Sequence, residues 1–265
     1  MNTDEFWNLI DLATKNAAAK THRDMAKALT LALLPLPEQD IIQWDALLHA
    51  YRDLADTSKM YAAAVVINGG SSDDCFMDFR VWVIMQGRAA YEAALADPDS
   101  LAKLDIPFNW AEWELCGYAG AYAFTLKQHL QFLSTDPPGM QTLLQKYAHR
   151  PNLLSEVWQS ALDYSMHHQM RPKEWQPDME RKQLAENVAS LLHQRGRVRD
   201  MYDFPYSMEE HQQLMRQLGQ DLVIDREECS PIHTDSVQHI WEKRLAWENE
   251  EDLRKRQRLP EEHLL

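Results

Sequence analysis

The segment between Asn68 and Arg88 concentrates polar side chains that could line a ligand-binding pocket. A helix is expected to end at Asn68-Gly69-Gly70, because Gly readily takes the positive φ of a helix C-cap. One of residues 71–73 can cap a second helix, whose first-turn N–H groups and dipole attract anions. The residues predicted to line such a pocket are Asn68, Asp73, Asp74, Arg80, Gln86 and Arg88.

The same side chains also fit a structural role, in which charges at the start of a buried helix satisfy one another. Asp74 and Asp78 are one helical turn apart, and Asp73 and Arg80 are two turns apart on one face. Buried charges generally need partners, so capping and Arg80 would satisfy the carboxylates. In both interpretations the apolar side chains of the helix pack in the core, namely Phe76, Phe79 and Trp82.

Motifs for other chemistry are lacking in the sequence. It contains no Gly-x-Gly-x-x-Gly, no Gly-x-x-x-x-Gly-Lys and no Gly-x-Ser-x-Gly. The adjacent pair His167-His168 would point about 100° apart on a helix, and the spacing of His233 and His239 is also unsuited to one metal ion. Cys75, near a helix start, is the one candidate for a reactive thiol, although a structural thiol is expected. We therefore predict no catalytic residue, no metal and no cofactor.

Tryptophans offer candidate anchors for a protein partner, because Trp is enriched among the residues that dominate interface energetics. The alternative is core packing, since Trp241, Leu245 and Glu248 recur at helical spacing and predict that Trp241 faces inward. Both interpretations stay open at this stage. The candidate anchors form two pairs, Trp110 with Trp113 and Trp241 with Trp247.

Helical periodicity dominates the elements that would position these residues. Thr3 or Asp4 can cap a first helix, and Ser207 and Glu210 form a capping box. There is no clear hairpin and no convincing repeat, so we predict a mainly α protein in which any sheet is small. Further helices are predicted over residues 21–34, 38–54, 60–67, 88–96, 111–133, 140–149, 151–169, 179–194 and 237–258.

A domain boundary is predicted at Asp136-Pro137-Pro138-Gly139, the strongest turn-forming stretch of the chain. It divides the sequence into a helical unit over residues 1–135 and a helical C-terminal region over residues 136–265.

The N-terminal unit carries a motif that resembles a known family. Residues 68–82 read Asn-Gly-Gly-Ser-Ser-Asp-Asp-Cys-Phe-Met-Asp-Phe-Arg-Val-Trp, preceded by Phe6-Trp7 and Asp11 and followed by the stretch from Ala94 to Leu101. This pattern resembles the bacterial family known as domain of unknown function 4240, over about residues 1–130. The family usually has Cys where Ser71 stands here. The resemblance implies a shared fold unit and no established activity.

Composition favours a protein partner over nucleic acid. The chain has 27 Lys and Arg against 41 Asp and Glu, a net charge of -14. Phosphate binding needs a concentrated positive surface, so nucleic acid is not expected as a partner. An acidic surface instead suits a basic protein.

The compartment predicted from the sequence is the cytosol. The N-terminus lacks the basic start and apolar run of a secretory signal, and no apolar stretch is long enough to span a bilayer. Cys75, Cys116 and Cys229 are well separated and odd in number.

These features together predict an acidic cytosolic binding protein, such as an immunity protein or antitoxin that neutralises a basic bacterial toxin. Two alternatives remain open: an enzyme of unknown reaction that uses the pocket around Asn68–Arg88, and a regulatory scaffold module.

Overall fold

The protein is mainly α-helical, as the sequence predicts. A computed structural model describes residues 1–17, 21–124, 127, 207–226 and 234–258, and no strand occurs among them. None of the helices in these ranges is long and apolar enough to cross a membrane. The helices, with two 3₁₀ segments, are α1 (Thr3–Asn16), α2 (His22–Leu33), α3 (Glu38–Leu54), α4 (Ser58–Asn68), α5 (Asp73–Ile84), α6 (Arg88–Ala96), the first 3₁₀ helix (Pro98–Lys103), α7 (Glu114–Gly117), α8 (Met208–Leu218), the second 3₁₀ helix (Thr234–Val237) and α9 (Gln238–Arg258).

Helix ends follow the capping chemistry of the sequence. Asn2 caps α1: its Oδ1 accepts from Glu5 N at 2.9 Å, and Glu5 Oε2 accepts from Asn2 N at 2.7 Å. The expected cap at Thr3 or Asp4 is therefore wrong, because both residues already lie inside the first turn. The capping box of Ser207 and Glu210 is confirmed at the start of α8. The predictions for residues 38–54 and 88–96 coincide with α3 and α6.

A cluster of aromatic rings holds α1, α3 and α6 together. Phe6 lies 5.4 Å from Trp44 and 5.1 Å from Tyr51, between ring centroids. Trp7 packs on Tyr51 and on Tyr91 at 4.9 and 5.4 Å. Trp7 Nε1 donates to Tyr51 Oη, and Tyr91 Oη donates to the Tyr51 carbonyl. Phe6 and Trp7 thus lie in the centre of this aromatic cluster, and the indole N–H of Trp7 has a hydrogen-bond partner.

The two C-terminal segments pack on this same core. Val237 and Ile240 are fully buried in it, and α9 contacts α4 and the first 3₁₀ helix. Asp99 caps the start of α9, since its carboxylate accepts from the backbone N–H groups of His239 and Ile240. Helix α8 lies against α3, and Asp225 forms a 2.6 Å ion pair with Lys59. The division at residue 136 stays a prediction, because residues 136–139 lie outside the described ranges.

The predicted continuous helix over residues 111–133 is wrong at its start. Helix α7 begins only at Glu114, and a turn at Tyr118 separates it from a further helical stretch at residues 119–124. The reason is a side-chain clamp: Asn68 Oδ1 accepts from Ala111 N at 3.0 Å, and Asn68 Nδ2 donates to the Ala111 carbonyl at 3.4 Å. The Ala111 carbonyl, which would be the first acceptor of a helix starting there, is thereby bonded to a side chain instead. The predicted helices over residues 140–149, 151–169 and 179–194 lie outside the described residues.

Candidate functional site

The residues predicted to line a polar pocket are spread over the end of α4, the length of α5 and the start of α6. Asp73 and Asp74 are exposed in its first turn. Arg88 begins the next helix, where it pairs with Glu92 at 2.7 Å and with Asp4 at 2.8 Å. Because α5 has 12 residues, its ends are about 18 Å apart. The two groups therefore cannot contact one small ligand together.

Arg80 has a structural partner that sequence reasoning did not identify. Its Nη1 lies 3.1 Å from Asp56 Oδ2 and donates to the Arg52 carbonyl at 3.3 Å. The guanidinium also lies over the Phe76 ring, 4.5 Å from the centroid. The expected pairing with Asp73 is replaced by a link between α5 and the end of α3. Gln86 is likewise used locally, donating to the Trp82 carbonyl at 2.9 Å.

The Asn-Gly-Gly motif shapes a turn that positions a neighbouring loop. Gly69 has φ +74° and Gly70 has φ +145°, both in the region that favours Gly. The turn directs Asn68 toward Ala111, which it clamps as described. Asn68 of the motif therefore holds the loop over residues 107–113 in place through its hydrogen bonds to Ala111. We call this segment the Trp110 loop.

Trp110 stands on this loop with its indole in solvent, 78% exposed. The backbone around it is fixed: Asn109 N donates to the Ile67 carbonyl at 3.0 Å, and Trp113 N donates to the Asp78 carbonyl at 3.2 Å. Ala111, between them, is fully buried. An exposed indole on a backbone fixed on both sides is a preorganised contact, since binding need not order the loop.

The other predicted anchors differ in exposure. Trp113 and Trp247 are partly buried against the core, and Trp247 stacks on Phe108 at 5.4 Å. Trp241 is 37% exposed and Leu245 is 42% exposed. The expectation that Trp241 faces inward is therefore wrong. The side of α9 that packs on the core includes Ile240 and Trp247. It is therefore shifted by one residue from the predicted buried side, which contained Trp241 and Glu248.

Carboxylates lie close to the Trp110 loop. Burial raises the pKa of Asp78 to about 7, and the nearby carboxylates of Glu114, Glu112 and Asp74 act in the same direction. These three carboxylates disfavour ionisation of Asp78, which indicates that the electrostatic potential around it is negative. A cation placed here would therefore be attracted.

A second polar group, which sequence reasoning missed, lies along α3. We call Asp45, His49, Arg52, Asp53 and His211 the α3 polar cluster. His211 Nε2 lies 2.9 Å from Asp53 Oδ2 and links α8 to α3, while Arg52 Nε lies 3.1 Å from Asp53 Oδ1. The signal in the sequence is the repeat of Asp45, His49 and Arg52 at i, i+4 and i+7, a polar stripe beside the apolar face of α3.

Asp45 is the most unusual member of the cluster. It is 1% exposed, and Gly120 packs so closely that an added Cβ would lie 2.5 Å from Asp45 Oδ1. Its Oδ2 lies 3.5 Å from His49 Nε2. Burial raises the pKa of Asp45 to about 7 and lowers the pKa of His49 to about 4. Near neutral pH Asp45 is therefore only partly ionised, and His49 is neutral.

The described residues include no group of His, Cys, Asp and Glu side chains that could hold a metal ion. His239 pairs with Asp99, whereas His167, His168, His233 and Cys229 lie outside the described ranges. Cys116 is buried and donates from Sγ to the His22 carbonyl. Burial raises the pKa of this thiol, so it stays protonated.

Comparison with known proteins identifies the same family. Residues 1–125 match the model of the family described as protein of unknown function (DUF4240), so the resemblance inferred from the sequence is confirmed. No curated protein and no solved structure matches the chain. Helices α8 and α9 lie beyond the matched residues, although they pack on the matched unit.

Proposed function

We propose that this chain is an acidic binding protein that captures a basic protein through Trp110. In its specific form, the partner is a bacterial toxin, and the chain is the cytoplasmic immunity protein or antitoxin that neutralises it. The observation that carries the proposal is the indole of Trp110, 78% exposed on a loop whose backbone is fixed on both sides.

The energetics of this arrangement favour binding. A large aromatic side chain at the centre of an interface often contributes at least about 2 kcal/mol. A rigid loop avoids the entropy cost of ordering during association. Trp also attracts Lys and Arg through its ring face, worth about 0.5–2 kcal/mol. An indole with these properties suits a partner rich in Lys and Arg.

Charge supports the same choice of partner. The net charge of -14 and the carboxylates around Asp78 would speed the encounter with a basic surface and discriminate against acidic ones. Arg244 donates to Asn109, which brings α9 beside the Trp110 loop. Helix α9 also carries two exposed apolar side chains, Trp241 and Leu245.

The enzyme alternative has less support. Asp73 and Asp74 begin α5, whereas Arg88 begins the next helix. Arg80, Gln86 and Asn68 are engaged in contacts within the protein. A small-molecule site needs its polar side chains to point into one pocket. A protein interface does not require this of the same side chains.

Co-expression with a toxin tests the proposal. The probe is the product of the gene adjacent to that of this chain, produced in cells with and without the chain. We expect the unaltered chain to co-purify with the toxin and to protect the cells, and Trp110→Ala to lose both properties. The matched control is Met208→Ala, because Met208 is 72% exposed but lies on α8. If neither co-purification nor protection is found for any neighbouring product, the proposal is wrong.

A further inference from the structure

The C-terminal end of α4 presents a set of backbone acceptors that must be satisfied. The last four carbonyls of a helix have no partner within it. Gly69 N and Gly70 N both donate to the Val65 carbonyl. This leaves the carbonyls of Val66 and Ile67 for other donors, and Asn109 N uses only one lone pair of Ile67.

The guanidinium of Arg244 fills this position. Its Nη1 donates to the Val66 carbonyl at 2.7 Å and to the Ile67 carbonyl at 2.9 Å. Its Nη2 donates to Asn109 Oδ1 at 3.1 Å, and its Nε donates to Glu248 Oε1 at 2.7 Å. The cation thus also lies at the negative end of the α4 dipole.

Aromatic rings frame the same cation. The guanidinium carbon lies 5.8 Å from the centroid of Phe108 and 5.9 Å from that of Trp247. These distances are within the range of cation–π attraction. A planar fork of donors matches acceptors spread over two carbonyls and an amide, whereas a single ammonium group would not reach all of them.

The family motif makes room for this group. A Cβ at Gly69 would lie 3.1 Å from Arg244 Nη2 and 3.2 Å from Asn109 Oδ1. Asn109 itself has φ +67°, a conformation that Asn tolerates better than most residues. The carbonyls, the amide and the Phe108 ring all belong to the matched unit of residues 1–125. Arg244, with Glu248 and Trp247, comes from outside it.

We propose that the end of α4 in the family unit is a binding site for a guanidinium group, and that Arg244 is its resident ligand in this chain. An alkylguanidinium, or the arginine side chain of another protein, fits the same acceptors when Arg244 is removed. The site stands independently of the toxin partner proposed above, because its acceptors are the end of α4, Asn109 and Glu248 of this chain.

Chemical rescue tests this site. The melting temperature of Arg244→Ala is measured with and without millimolar ethylguanidinium, with ethylammonium as the probe of equal charge. We expect ethylguanidinium to raise the melting temperature of Arg244→Ala by about 2–4 °C and to leave the wild type unchanged. Ethylammonium should have little effect, because it lacks the planar fork.

Two further variants sharpen the result. Arg254→Ala removes an arginine of α9 that pairs only with Glu250 and Glu251 among the described residues, and it should show no rescue. Adding Asn109→Gly to Arg244→Ala keeps the positive φ accessible, removes the Oδ1 acceptor and should weaken the rescue. If Arg244→Ala does not fold, ethylguanidinium should restore folding. Equal effects of ethylguanidinium and ethylammonium, or no effect on Arg244→Ala, would overturn the proposal.

Discussion

Replacing Asp45 by Asn should increase the free energy of unfolding relative to the wild type, and this gain should be larger at neutral pH than at acidic pH. Asp45 is buried beneath Gly120, and its pKa is raised to about 7 mainly by that burial. Asn has nearly the same shape and cannot ionise. The substitution therefore removes the cost of burying a carboxylate and changes little else.

The size and sign of the effect follow from the two protonation equilibria. A rise in pKa from 3.8 to about 7 makes the folded, ionised form about 4 kcal/mol less favourable. Below pH 4 the carboxyl is protonated in both states and carries no penalty. Between pH 4 and 7 only the unfolded chain ionises, so the contribution of Asp45 to the free energy of unfolding falls. Above pH 7 the full penalty is present.

His49 explains why the wild type alone would not reveal this effect. Burial lowers its pKa from 6.5 to about 4. Its contribution to the free energy of unfolding therefore rises between those pH values and offsets the fall caused by Asp45. Both chains retain His49, so the effect of its burial cancels in the difference between them, and what remains reports Asp45 together with its contact to His49.

Urea denaturation at several pH values between 4 and 8, followed by tryptophan fluorescence, measures the difference. We expect the free energy of unfolding of Asp45→Asn, minus that of the wild type, to increase by about 4 kcal/mol across this range. Asp105→Asn, at an exposed position, should show no such increase. A constant difference for Asp45→Asn would refute the reasoning.

Further substitutions test other parts of the structure by the same denaturation assay. Gly69→Ala should cost about 1–2 kcal/mol, because Ala must adopt φ +74° and its Cβ would crowd Arg244; an unchanged stability would contradict the turn geometry. Asp99→Asn should cost about 1 kcal/mol at pH 7, because Asn keeps one of the two acceptor oxygens but loses the other and the negative charge at the start of α9. Burial of Asp99 raises its pKa, but hydrogen bonds from Ile240 and His239 outweigh that effect and lower the pKa. The cost of Asp99→Asn should therefore disappear as the pH falls below the ordinary pKa of an Asp carboxyl. A cost that persists at low pH would argue against the cap. Truncation after residue 233 should cost about 3–6 kcal/mol, because Val237 and Ile240 are lost from the core; an equally stable truncated chain would show that α9 is dispensable.

Local patterns were enough to predict most of the N-terminal helices. The spacing of Phe6, Trp7 and Ile10 marks a buried face, and all three are buried. The limits of α3 and α6 follow from nearby Pro, Gly and Asp residues. These signals act within a few residues, so sequence reasoning can use them.

Contacts between distant residues could not be predicted in this way. The start of α7 depends on Asn68, 43 residues before Ala111. The phase of α9 is set by burial of Ile240 and by the bond of Arg244 to the end of α4, 178 residues away. No periodicity within a single helix encodes either constraint.

The candidate site shows the same limit. Exposure separates Trp110 from the partly buried Trp113, although only two residues lie between them in the sequence. The pairing of His211 with Asp53 joins residues 158 positions apart, so the α3 polar cluster is visible in the sequence only as one stripe of α3.

The affinity of the partner for Trp110→Ala tests the central proposal most directly. A toxin encoded by an adjacent gene is first purified in an inactive form. The dissociation constants of its complexes with the wild type, Trp110→Ala and Met208→Ala are then measured by calorimetry. The proposal predicts that Trp110→Ala weakens binding by about 30-fold or more, corresponding to at least about 2 kcal/mol, with an unchanged melting temperature and with Met208→Ala close to the wild type. Equal affinities for the wild type and Trp110→Ala would contradict it.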